Sequence, residues 1–328
     1  MNYRFRRLFF CTSIVLMLTL NPRAQIAAAS GPTASVSSAV ADDWSMTVRV
    51  NVSMVNLNIT VTDNGGHPVR GLGKEDFAVF DEGLQQSIAS FHEDAETPVS
   101  VGVLFDVSQS MTEKIDYVRQ ALTNFCNTIN PQDEVFLIRF NNKVKLVRDF
   151  TDDRKQLKKS FGSLTPKGET ALYDAIIEGL QHLRASKYDK KALLVITDGK
   201  DTRSRALLQE VVEAAHRSTA LIYGMAIGGE VDRTGTDPTV DYDTLRTIAA
   251  ASGGKAFLIQ AKHNRQGRDA INAAALAISA ELRDQYSLAY YPPPAKRDGE
   301  FRRIKVSNHN PQYAVRARTG YVTSKQAQ

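Results

Sequence analysis

The chain has 328 residues, 42% hydrophobic and 23% charged, a balance that fits globular domains and excludes collagen-like, disordered and polytopic membrane classes. Its formal charge of +5 invites a nucleic-acid reading, but Arg4, Arg6, Arg7 and Arg23 all fall within residues 1–29, which hold no Asp or Glu. Taking those four from the 41 basic residues leaves 37 against 36 acidic ones, so the clustered cations of a polyanion-binding surface are missing and no nucleic-acid partner is expected.

Residues 1–29 read as a secretory signal peptide: an Arg-rich start, an apolar run Leu8–Leu20 too short to span a bilayer, then Ala27-Ala28-Ala29 as a small-residue cleavage site. A mature chain starting near Ser30 is expected to be exported, to a periplasm or to the cell surface and medium, with no membrane span after cleavage. The other outcome is a leader retained as an anchor. Cys11 lies in the leader and Cys126 stands alone in the body, which leaves no intramolecular disulfide.

Residues 30–45 are small and polar without periodicity and read as a disordered linker. Residues 46–96 form an N-terminal β segment: apolar residues alternate from Val48 to Val61, the Asp63-Asn64-Gly65-Gly66 turn follows, and Pro68-Val69, Phe77–Phe80 and Gln85–Phe91 continue as short strands around the Asp81-Glu82-Gly83 turn. From 97 to 285 the pattern becomes βα units, which predicts an α/β domain with a mainly parallel sheet. Strands are expected at Val99–Phe105, Glu134–Phe140, Ala192–Thr197, Ala220–Ala226 and Ala256–Ile259, with Lys143–Phe150 as an antiparallel edge. Helical spacing marks Glu113–Ile129, Thr170–Ala185, Ser204–Arg217, Asp241–Ala251 and Arg268–Arg283. Cys126 falls on the apolar face of the first of these and reads as core. Residues 286–322 return to strand signals and 323–328 form a tail. Neither β piece buries enough surface alone, so the two are expected to pair into one small sandwich with the α/β domain inserted between them.

Three segments fall at the predicted carboxyl ends of the parallel strands, where open α/β sheets bind their ligands. Asp106-Val107-Ser108-Gln109-Ser110 places a carboxylate and two hydroxyls on alternate residues. A Gly-containing loop, Thr165 to Glu169, delivers Thr170 to the start of a helix, and Asp198-Gly199 follows the strand that ends at Thr197. Three hydroxyls and two carboxylates, with no His or thiolate, suit a hard divalent cation, Mg²⁺ or Mn²⁺, and disfavour zinc. Because hydroxyl ligands are neutral, such an ion keeps positive character toward a partner's carboxylate.

With Asp106-x-Ser108-x-Ser110, Thr170 and Thr197-Asp198-Gly199 in this order, the sequence resembles the von Willebrand factor A family over roughly residues 97–285. The resemblance implies a doubly wound, Rossmann-like fold and a metal-ion-dependent adhesion site. In it Ser108 and Ser110 would coordinate the ion directly, Thr170 directly or through water, and Asp106 and Asp198 chiefly through water. The flanks, Val69–Leu72 with Lys74–Phe77 and Arg316–Tyr321, resemble a bacterial exported subgroup. The implied function is an exported protein-binding module that captures an Asp or Glu of a partner protein.

The alternatives are a structural scaffold subunit of an envelope assembly and a Mg²⁺-dependent hydrolase. The enzyme reading lacks a Gly-x-Ser-x-Gly elbow, a phosphate-binding loop and a base beside Ser108, so no catalytic residues are expected. Glu169 and Asp174 flank Thr170 but read as a solvated loop and a helix surface. The six histidines are scattered, and the Asp-rich stretch Asp232–Asp243 reads as an acidic surface loop.

Overall fold

A computed structural model divides the chain into units Met1–Arg49 and Val50–Gln328. It describes residues 54–94, 97–162, 165–228, 241–260, 265–294 and 297–323, all in the second unit. The leader, the linker, the strand pattern before Met54 and most of the Asp232–Asp243 loop lie outside the described residues.

The α/β part is a six-stranded sheet built from β5 (Ser100–Asp106), β6 (Glu134–Phe140), β7 (Val144–Thr151), β8 (Lys191–Thr197), β9 (Leu221–Gly228) and β10 (Ala256–Gln260), in the order β10-β9-β8-β5-β6-β7. All neighbours are parallel except β7, which runs antiparallel to β6 at the edge. The central strands are almost wholly buried and mostly apolar because helices cover both faces. On one face, Val118, Leu122, Phe125 and Cys126 of α1 (Ile115–Thr128) pack with Leu157 and Phe161 of α2 (Arg154–Gly162) and Ile271 and Ile278 of α6 (Arg265–Arg283). The other face is covered by α3 (Leu172–His182), α4 (Leu208–Arg217) and α5 (Tyr242–Ser252). This is the mainly parallel sheet that the βα alternation predicts, in the doubly wound form that the resemblance implies. Cys126 is buried among apolar side chains, and burial pushes its thiol up to about 11.

Two four-stranded antiparallel sheets come from the flanking segments. One has the order β13-β1-β11-β4, from β13 (Ala314–Arg316), β1 (Val55–Thr62), β11 (Gln285–Tyr290) and β4 (Ile88–Glu93). The other is β14-β12-β2-β3, from β14 (Gly320–Val322), β12 (Phe301–Asn308), β2 (Phe77–Asp81) and β3 (Leu84–Gln86). Leu57, Ile59, Val79, Leu288 and Ile304 meet in their shared core, so N- and C-terminal segments do form one sandwich. The α/β part leaves and returns through neighbouring strands: Glu93 pairs with Tyr286, and Asp94 N–H donates to the Gln285 carbonyl at 2.8 Å.

Several local expectations need correction. The stretch Gln85–Phe91 is two strands in different sheets, because the chain crosses at Ser87. Pro68 makes only an isolated bridge to Thr62. Helix α2 was not expected, since Leu157 and Phe161 are a sparse apolar stripe among basic residues; Asp153 starts it by accepting from the N–H groups of Lys155 and Gln156. The Asp81-Glu82-Gly83 turn stands as expected, with Glu82 at φ 50° and Gly83 at φ 81°, the left-handed pair of a tight hairpin.

Candidate functional site

The carboxyl ends of β5 and β8 are adjacent in the sheet, which brings Asp106 and Asp198 into one place. Asp106 is fully buried. Its Oδ1 accepts from the Ser108 N–H at 2.8 Å, and its Oδ2 accepts from Thr197 Oγ1 at 2.6 Å. Both bonds fix the carboxylate without a cation, and burial, reinforced by the charge of Asp198, pushes Asp106 up to about 6.

Beyond Ser108 the chain makes a 3₁₀ turn, Gln109–Glu113, anchored by the fully buried Met111. This turn holds Ser108 Oγ and Ser110 Oγ 3.0 Å apart, and Ser110 Oγ donates to Asp198 Oδ1 at 2.7 Å. Asp198 is 1% exposed whereas Ser110 is exposed, so the cluster opens to solvent on the hydroxyl side. Asp198 Oδ2 meets Lys114 Nζ at 2.7 Å.

The loop carrying Thr170 is sewn onto this turn. Lys167 N–H donates to the Val107 carbonyl at 2.7 Å and Gln109 N–H to the Gly168 carbonyl at 2.9 Å. Gly168 has φ 80°, and a Cβ there would stand 1.8 Å from Asn142 Oδ1, so this position requires glycine. Thr170 is 5% exposed, and its carbonyl accepts from Thr202 and Arg203 N–H groups. A Cβ added at Gly199 would sit 3.7 Å from Thr170 Oγ1 and 4.0 Å from Ser110 Oγ, so glycine keeps the space between the two hydroxyls open.

All five residues singled out in the sequence, Asp106, Ser108, Ser110, Thr170 and Asp198, therefore belong to one cluster. The donor set fits a hard cation. Two hydroxyl oxygens at 3.0 Å span the edge of an octahedron with ligands at about 2.1 Å, and every donor is oxygen. Among the described residues no group of three His, Cys, Asp or Glu side chains is arranged to hold a metal ion.

Residues 101–200 match the family model of the von Willebrand factor type A domain. Over these residues the chain is similar to the von Willebrand factor type A family. Solved structures of similar fold include the conserved hypothetical protein BatB from Bacteroides thetaiotaomicron, at 18% identity over 57% of this chain and 100% of that one, with a TM-score of 0.46. A von Willebrand factor type A structure from Catenulispora acidiphila is 13% identical over 76% of this chain and 73% of that one, with a TM-score of 0.47. The vWF domain of the type V pili tip protein Mfa5 from Porphyromonas gingivalis is 13% identical over 57% and 86%, with a TM-score of 0.35.

Other residues of the α/β part brace the site. Asp201 Oδ1 accepts from the N–H groups of Leu172 at 2.8 Å and Tyr173 at 3.2 Å, capping α3 from another loop because Ala171 at its start has no acceptor side chain. Asp174, expected on a helix surface, accepts from Arg205 and Ala206 N–H groups and holds the loop after β8. Glu169 is exposed and bonds Asn142 Nδ2 at 3.2 Å. Sequence reading missed Lys114 and Asp201. The signals were an uncapped helix start after Thr170 and a lysine where a helix dipole disfavours a cation.

Proposed function

We propose that this chain is an exported, adhesion-type protein-binding module that captures an Asp or Glu side chain of a partner protein through a Mg²⁺ or Mn²⁺ ion. Ser108, Ser110 and Thr170 would hold the ion, with Asp106 and Asp198 balancing its charge. The observation that carries this reading is the convergence of three hydroxyls and two buried carboxylates at the open end of two adjacent parallel strands. When bound, the ion supplies an electrophilic position that a carboxylate ligand completes.

The protein's own part is orientation. Asp106 keeps its carboxylate in place through Ser108 N–H and Thr197, and Asp198 orients Ser110 by accepting its proton, which leaves the hydroxyl's lone pairs for a cation. Buried carboxylates supply negative charge without crowding the hydroxyl face. Domains of this family typically act in protein interactions, in keeping with a site that has a carboxylate rather than an imidazole beside Ser110. Ser90 Oγ and His92 Nε2 approach to 2.9 Å, but on β4 of the sandwich, not in this cluster. Export rests on the leader's composition, and among the described residues no helix is long and apolar enough to cross a membrane.

The test is capture of immobilised peptides bearing a central Asp or Glu, compared with their Asn and Gln counterparts, with Mn²⁺ or EDTA present. Binding that needs both the ion and the carboxylate, and that Ser110→Ala abolishes, is the expected result. Equal binding in EDTA would favour a scaffold role and overturn the metal-dependent one.

A further inference from the structure

Lys114 is the one cation whose ion pair reaches into the site among the described residues. Its ammonium lies 2.7 Å from Asp198 Oδ2, and the two side chains are only 13% and 0% exposed. It stands at the start of α1, directly after the 3₁₀ turn that carries Ser110, and its backbone N–H donates to the Met111 carbonyl. A positive charge at a helix N-terminus opposes the helix dipole. The position therefore offers the ammonium nothing from its own helix, and Asp198 is what retains it. Both oxygens of Asp198 are engaged, Oδ1 by a neutral hydroxyl and Oδ2 by this charge.

We propose that Lys114 is a built-in competitor for divalent cation at Asp198, and that it makes metal uptake and carboxylate capture depend on each other. The inference rests on the metal-site reading above. Asp106 and Asp198, if ionised, carry two negative charges, and Lys114 cancels one before any ion arrives. A divalent cation at Ser108 and Ser110 then meets a neighbouring ammonium and leaves the cluster with a surplus positive charge. Metal alone is held weakly for that reason, and a ligand carboxylate removes the surplus. By linkage, the metal strengthens the carboxylate's binding by the factor with which the carboxylate strengthens the metal's. Lysine suits this role, because a compact ammonium on a flexible stem can swing off Oδ2 without moving the backbone.

The experiment is titration of Mn²⁺ into the full chain, followed by electron paramagnetic resonance, with and without acetate as the carboxylate probe. Wild type is compared with Lys114→Met, Lys114→Gln, Lys114→Arg and the site control Ser110→Ala. The two neutral variants are expected to bind Mn²⁺ alone about ten-fold more tightly than wild type and to lose most of the enhancement by acetate, whereas Lys114→Arg keeps wild-type behaviour. Neutral variants that bind Mn²⁺ no more tightly than wild type, while Ser110→Ala weakens it, would overturn the role of Lys114 and leave the metal site standing. Absence of Mn²⁺ binding in every variant would overturn the metal-site reading itself and this inference with it.

Discussion

The chain buries aspartates at the heart of both its parts, and the two clusters are built to opposite ends. In the sandwich, Asp81 is fully buried and accepts from Arg302 Nε at 2.8 Å, Tyr290 OH at 2.9 Å and Tyr321 OH at 3.0 Å. Burial, with the charge of Asp81 behind it, pushes both phenols well above their ordinary range, so they stay donors. The charge is matched by a guanidinium from the neighbouring strand and the acceptors are filled. In the α/β part, Asp106 takes only neutral donors and Asp198 takes a hydroxyl and a lysine on a flexible stem, with Ser110 open to solvent. A closed cluster pins two sheets together; the open one leaves its hydroxyl face to solvent, where the proposed cation would bind.

The contrast is broken most directly at Asp81. Removing one partner of a buried ion pair leaves the other uncompensated, so Asp81→Ala is expected to cost about 3–5 kcal/mol in chemical denaturation. A loss below about 1 kcal/mol would mean that the cluster is not closed. At the joint between the two parts, Lys190 is buried and donates to the Asp94 carbonyl at 3.0 Å. Burial pulls its ammonium down from 10.5 to about 8, against the opposing charge of Asp94. Between those values the unfolded chain binds more protons than the folded one, so this group makes stability rise with pH across that window. Below pH 8 its cost is on the order of 3 kcal/mol. In Lys190→Met that rise should vanish when unfolding free energies are compared between pH 7.5 and 10; an unchanged slope would assign it elsewhere.

Smaller effects sharpen the open side. Thr197→Val deletes the 2.6 Å bond to Asp106 and is expected to cost about 1–2 kcal/mol while weakening the response to metal. Gly199→Ala places its Cβ in ordinary contact range, at 3.7 Å and 4.0 Å from the two hydroxyls. Its stability should change by less than about 0.5 kcal/mol, yet Mn²⁺ binding should weaken, because the methyl fills the space between Thr170 and Ser110. Unimpaired Mn²⁺ binding in this variant would place the ion elsewhere.

The sequence made the βα alternation and the five clustered residues legible because each is a local pattern: an apolar run, then a polar turn, at every strand end. Pairing of the two flanking β segments followed from their insufficiency as separate cores. What stayed hidden depends on distant partners. Helix α2 shows only Leu157 and Phe161 as an apolar stripe, and its place is fixed by packing on α1. Asp201 caps a helix that begins 29 residues earlier. Lys114 reads as one more charge on an amphipathic helix until the fold brings Asp198 to it across 84 residues.

The central claim is that the hydroxyl and carboxylate cluster holds a hard divalent cation. The measurement that tests it is the melting temperature of the protein in EDTA, Mg²⁺, Mn²⁺ and Zn²⁺, for wild type and Ser108→Ala, which removes the hydroxyl that lies 3.0 Å from Ser110 Oγ. Binding to the native state alone stabilises by mass action, about 2.7 kcal/mol at a hundred-fold excess over the dissociation constant. The account predicts a rise with Mg²⁺ and Mn²⁺ that Ser108→Ala removes. A rise of equal size in both proteins, or none with either ion at millimolar concentration, would contradict it.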